Sequence, residues 1–292
     1  MNLRDLKYLI ALDDHRNFRK AARSCFVSQP ALSIQIKKLE QYLGVQLLER
    51  TNKSVMFTEI GKSLMERARS IISQADEMQE IAKQSKDPYS GELKLGVIPT
   101  LAPYLLPHII PKLSKIFPKL SIYLSEEQTL FLIEKLKQGK IDAAILALPI
   151  MEGGLVSFPL FQEEFMLAVS PLHSLAKRKK IRPNDLEGKN LLLLEEGHCL
   201  REQALAFCQS IHASETQSFK ATSLETLRHM VASGIGITLI PRLACKSNDG
   251  ITYIPFALPK PTRTIGMLFR ASTAKETLLK DVISHIKKIV EK

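Results

Sequence analysis

The chain has 292 residues, 45% hydrophobic and 24% charged, an ordinary balance for a folded protein of about two domains. No secretory leader or membrane-length apolar run is legible, and four cysteines are too few for a disulfide framework, so a reduced, cytoplasmic protein off the membrane is expected. The net charge is +11, and the first 58 residues hold ten Arg or Lys against five Asp or Glu, an excess that points to a polyanionic partner.

Leu3, Leu6, Leu9 and Ile10 recur at helical spacing, and a second short helix fits 18–25 with Ala21 and Ala22 inward. Ser28 suits an N-cap and Pro30 a first turn, so a third helix starts there. It buries Leu32, Ile36, Leu39 and Leu43 and ends at Gly44. A tight turn followed by a polar-faced helix predicts a helix-turn-helix. Residues 47–50 and 54–57 predict a hairpin wing around Thr51-Asn52-Lys53. In this reading Gln29, Pro30, Ser33, Gln35 and Lys37 face DNA bases. Arg4, Arg19, Arg50 and Lys53 neutralise phosphates. The alternative is a plain three-helix unit whose outer face meets water.

Thr58 can cap a helix from Glu59 to about Lys86, with the seam Ile60, Leu64, Ala68, Ile71, Ala75, Met78 and Ala82. Its length and narrow seam predict a dimerising linker, against a helix packed on its own chain. Asp87-Pro88-Tyr89-Ser90-Gly91 breaks it. Strands over 92–98, 120–125, 141–148, 164–170, 191–194 and 236–240 then alternate with helices over 101–117 and 129–138. This pattern predicts an α/β fold with largely parallel sheets, in two subdomains flanking a cleft. Thr100 and Thr129 fall near helix starts after strands, as ligand contacts or as plain N-caps.

Cys199 and Cys208 stand nine positions apart in a segment rich in helix formers. One straight helix would hold them about 13.5 Å apart along its axis, whereas a disulfide needs Cα atoms within about 7 Å. A bond between them therefore requires the segment to rearrange, as in a redox switch. Cys199 would start the helix, where the dipole favours a thiolate, and His198 and Arg201 can add hydrogen bonds or positive charge. The alternative makes each cysteine a small buried hydrophobe, which is the reading preferred for Cys25 and Cys245. Cys208 and His212 are four apart, but no further spacing completes a metal site, and no cofactor is called for.

The N-terminal residues Ser28-Gln29-Pro30-Ala31-Leu32-Ser33, Leu39-Glu40, Gly44, Leu47-Leu48-Glu49-Arg50 and Thr58-Glu59-Ile60-Gly61 resemble those of LysR-type transcriptional regulators. Gly197-His198-Cys199 to Phe207-Cys208 is similar to the segment in that family's hydrogen-peroxide sensors. The resemblance implies an α/β architecture of N-terminal winged helix-turn-helix, long linker helix, and periplasmic-binding-protein-like effector domain of two α/β subdomains. The boundaries are 1–58, 59–87 and 88–292, with one subdomain at about 88–162 plus 268–292 and the other at about 163–267. It implies a homodimer or homotetramer that binds double-stranded promoter DNA, contacts RNA polymerase and activates antioxidant genes. The residue matching Cys199 attacks hydrogen peroxide, the one matching Cys208 closes the disulfide, and a cellular thiol reductant reverses it. Thr100, Thr129 and His198 hold and polarise the peroxide, Arg201 favours the thiolate, and Arg263 lies near the pocket. Such a protein is not an enzyme. A regulator of the same family sensing a small metabolite is the alternative, with a thiol peroxidase behind it.

Overall fold

A computed structural model describes residues 1–49, 55–84 and 87–290. The chain forms two compact units, Met1–Lys86 and Asp87–Lys292. In the first, α1 (Leu3–His15), α2 (Phe18–Ser24) and α3 (Gln29–Leu43) precede β1 (Leu48–Glu49), β2 (Met56–Phe57) and α4 (Glu59–Gln84). Local chemistry sets the helix ends. Asn2 and Asp5 form a reciprocal capping box, Ser28 caps α3 through the Ala31 N–H, and Gly44 ends α3 in the left-handed region. Leu6, Leu9, Leu12, Ala21, Leu32, Ile36 and Leu39 form the core, joined by Met65 and Ala68 from α4.

Glu40 accepts the Leu47 and Leu48 N–H groups and so anchors the antiparallel β1–β2 hairpin. Thr58 donates to the Gln46 carbonyl and accepts from the Gly61 N–H, which caps α4. A Cβ at position 61 would lie 2.2 Å from the Leu47 carbonyl oxygen, so only glycine fits there. The expected wing tip, with Arg50 and Lys53, lies outside the described residues. On α4, Ile60, Ile71 and Met78 of the expected seam are exposed, while Ala68 and Met65 pack within the unit.

The second unit holds β3 (Gly91–Val97), α5 (Ala102–Ile116), β4 (Leu120–Glu126), α6 (Thr129–Lys137), β5 (Ala143–Leu148) and β6 (Leu155–Val169). It continues through β7 (Asn190–Leu194), α7 (Cys199–Ser210), β8 (Ser214–Ala221) and α8 (Leu224–Ala232). β9 (Thr238–Pro241), β10 (Thr252–Pro255), β11 (Thr262–Arg270) and α9 (Glu276–Val290) complete it. One sheet runs β10-β6-β11-β5-β3-β4 with β9 against β6, and β7 pairs β8 separately. Among the described strands the ladders β3–β4, β3–β5 and β7–β8 are parallel, as are the isolated bridges Ile181–Phe256 and Leu191–Ile237; the ladders of β6 and β11 are antiparallel. The expectation of largely parallel sheets is thus corrected. β11 returns along the chain to lie between β5 and β6 and runs against both, which makes the sheet mixed.

Two apolar cores result. One gathers β3, β5, β11, α5, α6 and α9, the other β7, β9, β10, α7 and α8. β6 serves both, with Leu160 in the first and Phe165 in the second. No helix among the described residues is long and apolar enough to cross a membrane.

Candidate functional site

Helix α7 runs unbroken from Cys199 to Ser210 and carries both cysteines of the expected pair, each as a free thiol. Nine residues advance about 13.5 Å along the axis and turn the second side chain about 180° from the first. The two sulfurs therefore sit at opposite ends and on opposite faces. Cys199 is half-buried in the first turn and packs against the first core. Cys208 is 2% exposed inside the second core, and burial pushes its thiol up to about 11. At neutral pH Cys208 is protonated and shielded, so Cys199 is the thiol a small oxidant can reach.

Gly197 and His198 deliver the chain to α7. Gly197 adopts φ +93°, and a Cβ there would lie 2.5 Å from Gln128 Oε1. This close approach brings the N-cap residue of α6 against the turn before Cys199. His198, 5% exposed, is the N-cap position of α7. Thr129 opens α6, and its buried Oγ1 has no hydrogen-bond partner among the described residues. Thr100 precedes α5 and accepts from Arg263 Nη1 at 3.1 Å. Neither threonine is an N-cap; Leu101 and Gln128 hold those places.

Arg263 is fully buried and ion-paired with Glu163 across the β6–β11 register, at 2.7 Å. Its Nη2 also reaches the Thr100 carbonyl, and Glu163 accepts the Leu243 N–H as well. Arg263, Thr100 and Glu163 thus form one buried polar cluster where β6 passes between the cores. Arg201 departs from expectation. Its guanidinium grips both oxygens of Glu215 on β8 and the Leu194 carbonyl on β7. Glu215 in turn raises the Arg201 pKa and is itself held low. The arginine is committed to locking α7 onto the β7–β8 pair, because its side chain points into that ladder and finds a carboxylate there.

Residues that the sequence reading passed over also gather here. Gln203, one turn beyond Cys199 on nearly the same face, has a buried Oε1 without a partner among the described residues, as does Ser125 Oγ at the end of β4. Their signal in sequence was spacing from Cys199 and Thr129. Glu215 gave none, because β8 reads as polar. Cys245 lies half-buried with its thiol pushed up to about 12 by burial, and Cys25 is half-buried. Among the described residues no cluster of three or more His, Cys, Asp or Glu is placed to hold a metal.

In the first unit Arg4, Arg19, Gln29, Pro30 and Lys37 are exposed and Ser33 is half-buried. Gln35 is not part of that surface. Its Nε2 donates at 2.7 Å to Asp5, which is 5% exposed, so its reading as a base contact is replaced by a tie between α3 and α1.

Two known families cover the chain. Residues 3–62 match the bacterial regulatory helix-turn-helix proteins of the lysR family, and residues 86–290 match the LysR substrate binding domain. The chain is 51% identical over 273 residues to the "DNA-binding transcriptional dual regulator OxyR" of Escherichia coli K12, covering 92% of this chain and 90% of that protein. It is similar to a full-length OxyR variant from Pseudomonas aeruginosa, with TM-score 0.81 and 36% identity over 98% of this chain and 95% of that one. A crystal structure of the oxidised form of OxyR is 46% identical, with TM-score 0.65, over 70% of this chain and 98% of that one.

Proposed function

Because the chain belongs to the LysR family of bacterial helix-turn-helix regulators, we propose that it controls transcription of antioxidant genes in response to hydrogen peroxide, through a reversible Cys199–Cys208 disulfide. The observation that carries this reading is α7 itself, with an accessible thiol in its first turn and a shielded one on the opposite face nine residues on.

The Cys199 thiolate attacks one peroxide oxygen, the O–O bond breaks, and hydroxide leaves to become water. The helix N-terminus favours the thiolate. His198 precedes Cys199, Gln203 lies one turn beyond it on α7, and Thr129 follows Gln128, which closely approaches Gly197. The Thr129 Oγ1 and Gln203 Oε1, without partners among the described residues, suit a small molecule that both donates and accepts. The Cys199 sulfenic acid is then attacked by the Cys208 sulfur, which forms the disulfide and expels water. That step needs Cys208 out of its core, so α7 unravels. A cellular thiol reductant restores two thiols and the helix. Rebuilding α7 between turnovers suits a stoichiometric sensor rather than a peroxidase.

In the first unit, α3 enters the major groove of promoter DNA, with Lys37 on its groove face, and Arg4 and Arg19 neutralise phosphates. The exposed Ile71 and Met78 on α4 pair protomers, and a dimer or tetramer in the cytoplasm presents the surface that RNA polymerase meets.

Treatment of the reduced protein with equimolar peroxide is expected to remove two of four thiols and lower the intact mass by the two hydrogens of one intramolecular disulfide. Cys199→Ser abolishes both this change and the transcriptional response. A serine variant that still responds fully places the switch elsewhere.

A further inference from the structure

The outward face of α3 has an apolar centre. Leu32, Ile36 and Leu39 bury one side of the helix. At about 100° per residue, Ile34 falls within about 20° of the point opposite them, flanked by Pro30 and Lys37. Ile34 is 56% exposed, and Pro30 and Lys37 are exposed beside it. Ser33 stands to one side of this stripe, and Gln35 is turned inward to Asp5. A second large apolar group sits in the turn that leads into α3. Phe26 is 96% exposed and is held at φ +56°, a conformation that costs a bulky residue stability. Glycine or asparagine would fill that turn with less strain.

An aliphatic side chain at the centre of a groove-reading helix has one apolar feature to find in the major groove, the C5-methyl of thymine. The basic surroundings fit DNA as the occupant: Arg4, Arg19 and Lys37 are all exposed in this unit. We infer that Ile34 is a specificity-determining residue that reads a thymine methyl in each half-site, with Phe26 extending the same apolar surface at the start of α3. This inference rests on the proposed DNA-binding role of the first unit and adds what it reads.

The test uses the full-length reduced protein and duplexes that it selects from a random-sequence pool. Each thymine of the selected site is replaced in turn by deoxyuridine, which removes only the methyl, and affinity is measured by fluorescence anisotropy at fixed salt. Loss of one methyl contact is expected to weaken wild-type binding about fourfold at one or two positions per half-site. Ile34→Ala should bind the thymine duplex about fourfold more weakly and lose no more on replacement at that position. Its salt dependence should stay unchanged, because no charge is removed. If Ile34→Ala keeps the full methyl sensitivity, or if no thymine position matters, the inference is overturned while DNA binding stands. If Ile34→Ala instead dissociates the oligomer, the residue belongs to a protein interface and the inference is overturned. If the protein selects no duplex, the proposed function of the first unit falls with it.

Discussion

Ala206 offers a clean way to ask whether α7 must unravel. It lies on the exposed side of α7, between the two cysteines, and adds little to either core. Replacing an exposed helical alanine by glycine costs about 1 kcal/mol through backbone entropy alone. If the disulfide form has no helix over 199–208, that cost falls on the reduced state only. Ala206→Gly should therefore shift the thiol–disulfide equilibrium about fivefold toward the disulfide, which for a two-electron couple makes the midpoint potential about 20 mV more negative. The measurement equilibrates the protein in reduced and oxidised dithiothreitol buffers, then counts free thiols by alkylation and mass. Thermal unfolding of the reduced variant checks that the expected destabilisation is present. A reduced state weakened by about 1 kcal/mol with an unmoved midpoint would show that residue 206 stays helical in the disulfide form, and the unravelling argument would be refuted.

Two further outcomes follow from the same region. Gly197→Ala puts a Cβ on Gln128 and forces alanine into the left-handed region, so it should lose about 1–3 kcal/mol of stability and slow peroxide oxidation of Cys199; unchanged melting and thiol-loss rates would contradict this. Burial holds the Cys208 thiol at about 11 and that of Cys245 at about 12, above an ordinary thiol, so an unfolded chain ionises these thiols first as pH rises. The stability of the reduced second unit should hold below about pH 8.5 and fall progressively from there to about pH 12, and Cys208→Ala should remove its share of the fall, up to about pH 11, in a series of thermal melts.

The helix-turn-helix was legible because its determinants are local. Ser28 caps α3, Gly44 ends it, and Leu32, Ile36 and Leu39 mark its buried stripe within a few residues of one another. The start of α7 at Cys199 was legible for the same reason. What stayed hidden depends on partners far along the chain. β6 was expected only over 164–170 but starts at Leu155, because Pro159 and the run Gln162-Glu163-Glu164 interrupt its apolar pattern. Glu163 belongs there because Arg263, a hundred residues on, lies opposite it in the β6–β11 register. Arg201 invited a reading as the activator of Cys199, since Glu215 lies in a strand, Ser214–Ala221, whose composition is polar. Gln35 looked like a groove contact by residue type, yet its angular position on α3 borders the buried stripe and faces Asp5.

The placement of the two thiols explains why oxidation acts as a switch rather than a local mark. α7 is held to the second core by Leu200, Ala204 and Cys208, and to the β7–β8 pair by the Arg201–Glu215 bridge. Joining the sulfurs requires Cys208 to leave that core, and an intact helix cannot release it without moving Leu200 and Ala204, which lie on the same elements of packing. Exposing a leucine-sized side chain costs about 1.5–3 kcal/mol, and the broken ion pair adds to it. Closing a ten-residue ring adds a further cost of about 2.7 kcal/mol in chain entropy. Non-covalent forces alone therefore favour the helix, and the reduction of peroxide supplies the drive toward the disulfide. The same imbalance works in reverse. Once a reductant opens the bond, the stored packing of α7 draws Cys208 back into its core, and of the two thiols of the pair Cys199 is again the more exposed one.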